Sequence, residues 1–342
     1  MGLKEQAERI RMLFEGTSLD SPLPPSYPPA AIEIAPERVT GVRVARERRG
    51  GRLMIKAIAS RDLPKGVVEA SLVRPNIIDP ATVGQALDEV LKEVAPGEHR
   101  VSLLLPDPVA RVSLLSFTAL PATRKEMLEV VRFRMGKALP YKPEDAAMDL
   151  MPVGGGAAGA PAAGAVLAIF MHRPILDQYE ALLTSRGYWP GLVGLSTLEL
   201  FNLFRGRLTP GAPDKDLMLL NLTPQYLALL IVSAGQIIFY RCKPHPGGAD
   251  GDGGLGAVRR EIYTSLAFYQ EKLLGRGLGR VWLRSAGLPL DAVAATVGGE
   301  AGCPVERLRL DAVLPAGAAL RLDDDGGDLV APAAGAAAGR RG

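Results

Sequence analysis

Apolar and polar positions follow the same script twice along this chain. The first copy runs Glu33-Ile-Ala-Pro-Glu-Arg-Val-Thr-Gly-Val-Arg-Val44, and the second runs Asn221-Leu-Thr-Pro-Gln-Tyr-Leu-Ala-Leu-Leu-Ile-Val232. Overlaid without a gap, Ile34 meets Leu222, Pro36 meets Pro224, Val39 meets Leu227, Val42 meets Leu230 and Val44 meets Val232, each pair 188 positions apart. Each copy ends one strand, turns at proline, resumes as a strand, meets glycine (Gly50-Gly51 or Gly235) and enters a third strand, Leu53 to Ala59 or Ile237 to Arg241. A meander that occurs twice predicts two related lobes with ligand space between them.

Between the copies the pattern alternates. Asp79 caps a predicted helix with Pro80 in its first turn and Val83, Leu87, Val90, Leu91 and Val94 on one face. Val101–Leu105 reads as a strand buried on both faces, and Pro106-Asp107-Pro108 turns the chain into another strand, Arg111 to Phe117. Thr123 and Glu126 have capping-box spacing and start a helix expected to run through Ala138. Val166–Phe170 is a further strand, and Pro174 opens a helix with Ile175, Tyr179, Leu182 and Leu183 inward. The Gly154–Gly164 tract has no side chains able to order it and reads as a flexible hairpin loop. Residues 111–194 are expected to form a small α+β insertion. After the second meander, helices are expected at Ala257 to Leu274 and Leu329 to Ala338, with a strand at Val281–Arg284.

Composition narrows the class. The 342 residues suit two domains of ordinary size; 47% apolar and 23% charged residues describe a globular chain. A net charge of +3 gives no nucleic-acid footprint, and the basic run Arg43 to Arg52 reads as a solvated hairpin. Cys242 and Cys303 build no disulfide framework, and the three histidines have no metal-ligand spacing. The acidic Asp323-Asp324-Asp325 with Asp328 reads as a solvated turn. No Ser/His/Asp or Cys/His constellation is present to suggest catalysis. Leu3, Ala7, Ile10 and Phe14 form the stripe of a short amphipathic leader helix, which either packs on its own protein or docks a partner or membrane surface; a Pro-rich spacer follows to residue 29.

Three longer stretches carry a family resemblance: Leu105-Pro-Asp-Pro-Val-Ala-Arg-Val-Ser-Leu-Leu-Ser-Phe117, Lys137-Ala-Leu-Pro-Tyr-Lys-Pro-Glu-Asp145 and Ala168-Ile-Phe-Met-His-Arg-Pro-Ile-Leu-Asp-Gln-Tyr179. In this order they resemble the PilM family of type IV pilus assembly proteins, which is related to the cell-division FtsA group. The resemblance implies an α/β, actin-like, two-lobed duplicated fold with an inserted α+β subdomain. Expected boundaries are a leader at 1–29, a first lobe at 30–215 containing the insertion, and a second lobe at 216–342.

The family's nucleotide motifs are degenerate in this chain. Where members carry Asp-Ile-Gly turns, this chain has Glu33-Ile34-Ala35-Pro36 and Asn221-Leu222-Thr223-Pro224, with Thr40 at the usual lysine position. Ala35 and Thr223 place a Cβ where phosphate approaches the backbone, Pro36 and Pro224 offer no N–H, and Asn221 removes a carboxylate for Mg²⁺. Losing two hydrogen bonds to a charged group, at about 1.5–3 kcal/mol each, weakens binding by about 10²- to 10⁴-fold. Gly247 and Gly248 align with a family glycine pair, and Gly287 with a glycine run against adenine. No cofactor and no metal are therefore expected, the alternative being an active ATPase with ATP/Mg.

The resemblance also implies a cytoplasmic protein peripheral to the inner membrane. Its implied role is a scaffold that holds the N-terminal cytoplasmic tail of a PilN-like membrane protein between the first lobe and the insertion. Arg132, Arg134 and Lys137 are the expected cations at the rim of that groove. Further partners are the pilus motor ATPase and platform protein, with membrane contact only through partners and no nucleic acid. A GspL-like component of a type II secretion system is the other alternative.

Overall fold

Two hairpins with one register organise the molecule. β1 (Ala30–Ala35) pairs antiparallel with β2 (Arg38–Arg46) so that Ile34 faces Val39. β9 (Asp216–Leu222) pairs with β10 (Tyr226–Ser233) so that Leu222 faces Leu227, again 188 positions on. The third strands, β3 (Leu53–Asp62) and β11 (Gln236–Pro244), complete the two meanders. A β-bulge interrupts β2 between Arg43 and Val44 and β10 between Ile231 and Val232, the same place in both copies. Each meander is extended by parallel strands. The first sheet adds β4 (Arg100–Leu105) and β8 (Trp189–Leu195), in the order β3-β2-β1-β4-β8. The second adds β12 (Leu278–Ser285) and β13 (Val305–Arg307), in the order β11-β10-β9-β12-β13. This computed structural model describes residues 27–47, 51–121, 123–153, 164–244, 252–317, 320 and 322–339. The expected leader helix with most of its spacer, the loop after Gly154, and Gly247 and Gly248 lie outside them.

Helices cover these sheets as their apolar stripes dictate. Asp79 Oδ1 accepts from the Ala81 and Thr82 amides at 3.0 and 3.1 Å and starts α1 (Pro80–Val94). The buried stripe of α1 is the expected Val83, Leu87, Val90, Leu91 and Val94, each side chain stabilising by about 1.5–3 kcal/mol before entropy is counted. Gly41 on β2 allows this close packing, since a Cβ there would meet Val90 at 2.5 Å. On the second sheet, α5 (Asp252–Lys272) and α6 (Leu290–Ala301) bury Val258, Ile262, Tyr269, Val293 and Val297.

A third sheet stands apart. β5 (Ala110–Phe117), β6 (Ala146–Val153) and β7 (Gly164–His172) form it in the order β5-β7-β6. α2 (Arg124–Met135) lies across one face, burying Met127, Val131 and Met135. The expected capping box is present: Thr123 Oγ1 accepts from the Glu126 amide at 3.2 Å, and Glu126 accepts from the Thr123 amide at 3.3 Å. The helix stops at Met135, short of the expected Ala138, because Gly136 and Ala138 bond back three residues in a tighter turn.

Two boundaries differ from the sequence reading. The inserted sheet ends at His172, whereas 111–194 was expected. α3 (Arg173–Thr184) sends Ile175, Tyr179, Leu182 and Leu183 into the main core, and β8 pairs parallel with β4 in the first sheet. At the C-terminal end, after the short α7 (Leu310–Val313), α8 (Asp324–Ala338) starts five residues before the expected Leu329 and leaves the second lobe. It packs on β1, β2 and β4 and on α4 (Ser196–Phe204), so residues 216–342 do not all belong to the second lobe. A Cβ on Gly335 would lie 2.3 Å from the Glu199 carbonyl oxygen; only small residues permit this crossing.

Candidate functional site

The C-terminal ends of β1 and β9 face each other across the two lobes, which brings the two degenerate turns together. Glu33 is buried on β1, where the Ser196 hydroxyl lies 2.5 Å from its Oε1 and 3.1 Å from the Leu105 carbonyl. Asn221, its counterpart 188 positions later, is fully buried on β9. Asn221 Nδ2 donates to Thr197 Oγ1 at 2.8 Å, and Arg284 Nη1 donates to Asn221 Oδ1 at 2.6 Å. Thr197 in turn donates to Asp107 Oδ2 through Oγ1 at 2.8 Å, with its amide at 3.2 Å. The Tyr240 hydroxyl on β11 closes the network at 2.6 Å from Asp107 Oδ1.

Burial governs the electrostatics of this network. It pushes the Glu33 carboxyl up from the ordinary carboxylate range, with the Arg284 charge and the Ser196 bond opposing. Asp107 is pushed up for the same reason, opposed by the hydrogen bonds from Tyr240 and Thr197. Arg284 is fixed at its other end by Nε donating to the Asp328 carbonyl at 2.5 Å. Asp328 is buried and accepts from Arg307 at 2.8 and 3.1 Å, while Arg307 also bridges Asp325 at 2.8 Å. Asp323, Asp324 and Asp325 are exposed as expected, but they open a helix and not a turn, and Asp328 is buried. Asp323 caps α8 by accepting from the Gly326 amide at 2.8 Å, and the helix N-terminus favours the carboxylates around Arg307.

The remaining turn residues hold the chain to itself. Thr223 Oγ1 accepts from the Gln225 and Tyr226 amides at 3.3 and 3.1 Å, and its own amide bonds the Tyr226 carbonyl at 3.0 Å. Gly287 adopts φ +73°, and a Cβ there would lie 3.5 Å from Pro224 Cγ, so the two expected remnants are neighbours. Ala35 closes β1 opposite Arg38 across the Pro36-Glu37 turn. Beside Gly287, a cavity of about 30 Å³ lined by Leu222, Leu255, Val258, Leu288 and Val293 holds about two waters' worth of space.

Sequence reasoning found Glu33, Asn221 and their prolines through the repeat. It did not assign roles to Asp107, Ser196, Thr197, Tyr240 or Arg284. The available signals were the Asp107 between two prolines, an arginine ending an apolar strand at 284, and Ser196-Thr197 directly after the apolar Leu192–Leu195.

No family model matches this chain, and no curated protein matches it by sequence. Solved structures do. A chain of a PilM–PilN type IV pilus biogenesis complex aligns with a TM-score of 0.74 at 18% identity, covering 92% of this chain and 98% of that one. A Bacteroides thetaiotaomicron protein with an actin-like ATPase fold and unknown function aligns with a TM-score of 0.51 at 9% identity, covering 87% and 96%. The fold is actin-like. The cytoplasmic domain of EpsL, an inner-membrane component of the Vibrio cholerae type II secretion system, aligns with a TM-score of 0.49 at 9% identity, covering 91% and 95%.

In this actin-like frame the inserted sheet presents a second candidate surface. Among the described residues β5 is an edge strand, paired only with β7, and it runs close to β11 of the second lobe. The expected rim cations divide. Arg134 Nη1 donates to the Ser116 carbonyl on β5 at 2.7 Å, and its guanidinium sits 5.3 Å from the Phe117 ring centre. Arg132 has its Nε buried without a partner, and Lys137 is exposed beyond the helix end. Among the described residues, no helix is long and apolar enough to cross a membrane.

Proposed function

We propose that this chain is a non-catalytic scaffold of a type IV pilus machine. It takes the extended N-terminal tail of a PilN-like inner-membrane protein along β5. The observation that carries this reading is the open edge of β5 beside the second lobe, in a fold that aligns along 92% of its length with a chain of a PilM–PilN complex. An edge strand offers unpaired backbone donors and acceptors, so an added strand gains affinity from main-chain bonds and specificity from alternate side chains. Arg134 already holds the Ser116 carbonyl, which confines the available edge to the part of β5 before it.

Adenine nucleotide has no part in this function. Its absence is supported by Pro36 and Pro224 at the turns and by the direct bonds that join the lobes through Asn221–Thr197 and Tyr240–Asp107. A ligand entering between the turns would have to break buried bonds of that network. The protein is accordingly cytoplasmic and peripheral to the inner membrane, linked onward to the motor ATPase and platform protein. The test is retention of the detergent-solubilised, full-length PilN-like protein on the immobilised chain. Retention that disappears when the partner lacks its cytoplasmic tail is the expected result; equal retention without the tail would contradict the reading.

A further inference from the structure

The second lobe meets α4 and the connecting segment 205–215 around a cavity of about 130 Å³. It lies at the start of β9, the opposite end of that strand from Asn221. Its floor is apolar: Phe201 comes from α4, Leu217 from β9 and Val232 from β10, all three buried, with Leu208 of the connecting segment half-buried beside them. Its rim carries the cations Arg205, Lys215 and Arg276, and among the described residues no carboxylate lines it. Ala234, which also lines the cavity, holds φ +47°. Asparagine or glycine adopts that conformation at less cost, so the β10–β11 turn is strained at the cavity mouth.

The rim cations are not equally free. Arg276 donates through Nε and Nη2 to Asp216 Oδ1 at 3.2 and 2.7 Å, and the Tyr269 hydroxyl donates to Oδ2 at 2.6 Å. Asp216 is buried, so its charge is matched by Arg276 alone. Lys215 donates one proton to the Arg276 carbonyl at 3.2 Å. Among the described residues neither Lys215 nor Arg205 takes part in an ion pair. Arg205 has its guanidinium 5.9 Å from the Phe201 ring centre, over the floor. Asp214 is exposed outside the lining, and its field falls on Arg276. The segment 205–215 thus sets Arg205, Arg207 and Lys215 against the single acid Asp214.

Size and charge together select the ligand. An apolar cavity of about 150 Å³ accepts a benzene ring. A carboxylate on such a ring presents two oxygens to a guanidinium fork and accepts from an ammonium as well. We propose that this cavity binds a small aromatic carboxylate, with its ring on Phe201, Leu217 and Val232 and its carboxylate between Arg205 and Lys215. Such a ligand touches both lobes and the segment that joins them, so it fixes their relative position from the side away from Asn221. It is independent of tail binding, because the β5 edge belongs to the inserted sheet.

The test is ligand-observed NMR titration of the full chain with benzoate, and with benzamide as the neutral probe of the same shape. Benzoate is expected to bind with a Kd of about 1 mM or tighter, an ordinary efficiency for a ligand of this size. Benzamide should bind about tenfold more weakly or worse, because it makes no charge-assisted bonds. Added salt should weaken benzoate alone. Arg205→Gln combined with Lys215→Gln should lower benzoate affinity by about tenfold or more and leave benzamide unchanged. Leu208→Trp, which enlarges a half-buried side chain of the floor, should exclude both probes. The benzoate–benzamide comparison on the parent chain does not depend on any variant folding. No binding of benzoate, equal affinity for the two probes, or benzoate affinity that survives the Arg205 and Lys215 substitutions would overturn the proposal.

Discussion

The Tyr240 hydroxyl of the second lobe donates to Asp107 of the first at 2.6 Å, joining residues 133 positions apart in sequence. Asp107 is fully buried and carries a carboxyl, so this bond belongs to the class worth about 1.5–3 kcal/mol. Tyr240→Phe should lower stability by about that much in guanidinium unfolding. Tyr141→Phe is the matched comparison, because the Tyr141 hydroxyl is buried without a partner and its removal should cost nothing. Equal losses from the two substitutions would show that the inter-lobe bond has no special weight.

Glu199 gives a pH dependence with a defined sign. It is buried where α4 meets α8, its one side-chain bond among the described residues a long 3.4 Å from Asn202, and burial pushes its carboxyl up to about 7. A raised carboxyl keeps its proton longer in the folded protein than in the unfolded chain. Stability therefore falls as pH rises from about 4.5 to about 7 and then levels, a total of about 3 kcal/mol. Glu33 and Asp107 are shifted in the same direction, so the comparison is with Glu199→Gln. That variant should match the parent near pH 4 and gain on it steadily toward pH 8. A parallel pair of stability curves would contradict the assignment.

Gly335 tests the crossing of α8 over α4. Alanine is the better helix former by about 1 kcal/mol, yet a Cβ there would stand 2.3 Å from the Glu199 carbonyl oxygen. Gly335→Ala should thus destabilise by about 1–3 kcal/mol, the ordinary cost of overpacking. A higher melting temperature would mean that α8 is not seated against α4 as described.

Thermal melts with millimolar MgATP address the nucleotide reading. Ligand at a hundred times its Kd stabilises by about 2.7 kcal/mol, which shifts a melt by several degrees. No shift is expected. A shift of several degrees would place an adenine nucleotide on the folded state and favour the ATPase alternative.

Much of the fold was legible because local patterns repeat. The 188-residue offset between Ile34 and Leu222 recurs in the pairing of both hairpins, and Asp79 and Thr123 announce their helices through short capping patterns. β8 was misplaced because Trp189-Pro-Gly-Leu carries weak strand chemistry and its partner β4 lies far back in sequence. The path of α8 was hidden for another reason. Its run of alanines fits any close interface, so nothing in the pattern says that it returns to the first lobe. The same distinction applies to the site. Glu33 and Asn221 stand on the repeat and were visible, whereas Asp107, Thr197 and Tyr240 meet only after folding joins segments 90 to 133 positions apart.

Isothermal titration of the folded chain with a synthetic N-terminal tail of the proposed PilN-like partner tests the scaffold reading most directly. If the tail adds a strand to β5, the peptide binds near micromolar. The same peptide with alternate backbone nitrogens methylated should then bind at least tenfold more weakly, because each methyl removes one main-chain donor at about 1 kcal/mol or more. No heat from the unmodified peptide, or equal affinity for the methylated one, would contradict a tail held by the β5 edge.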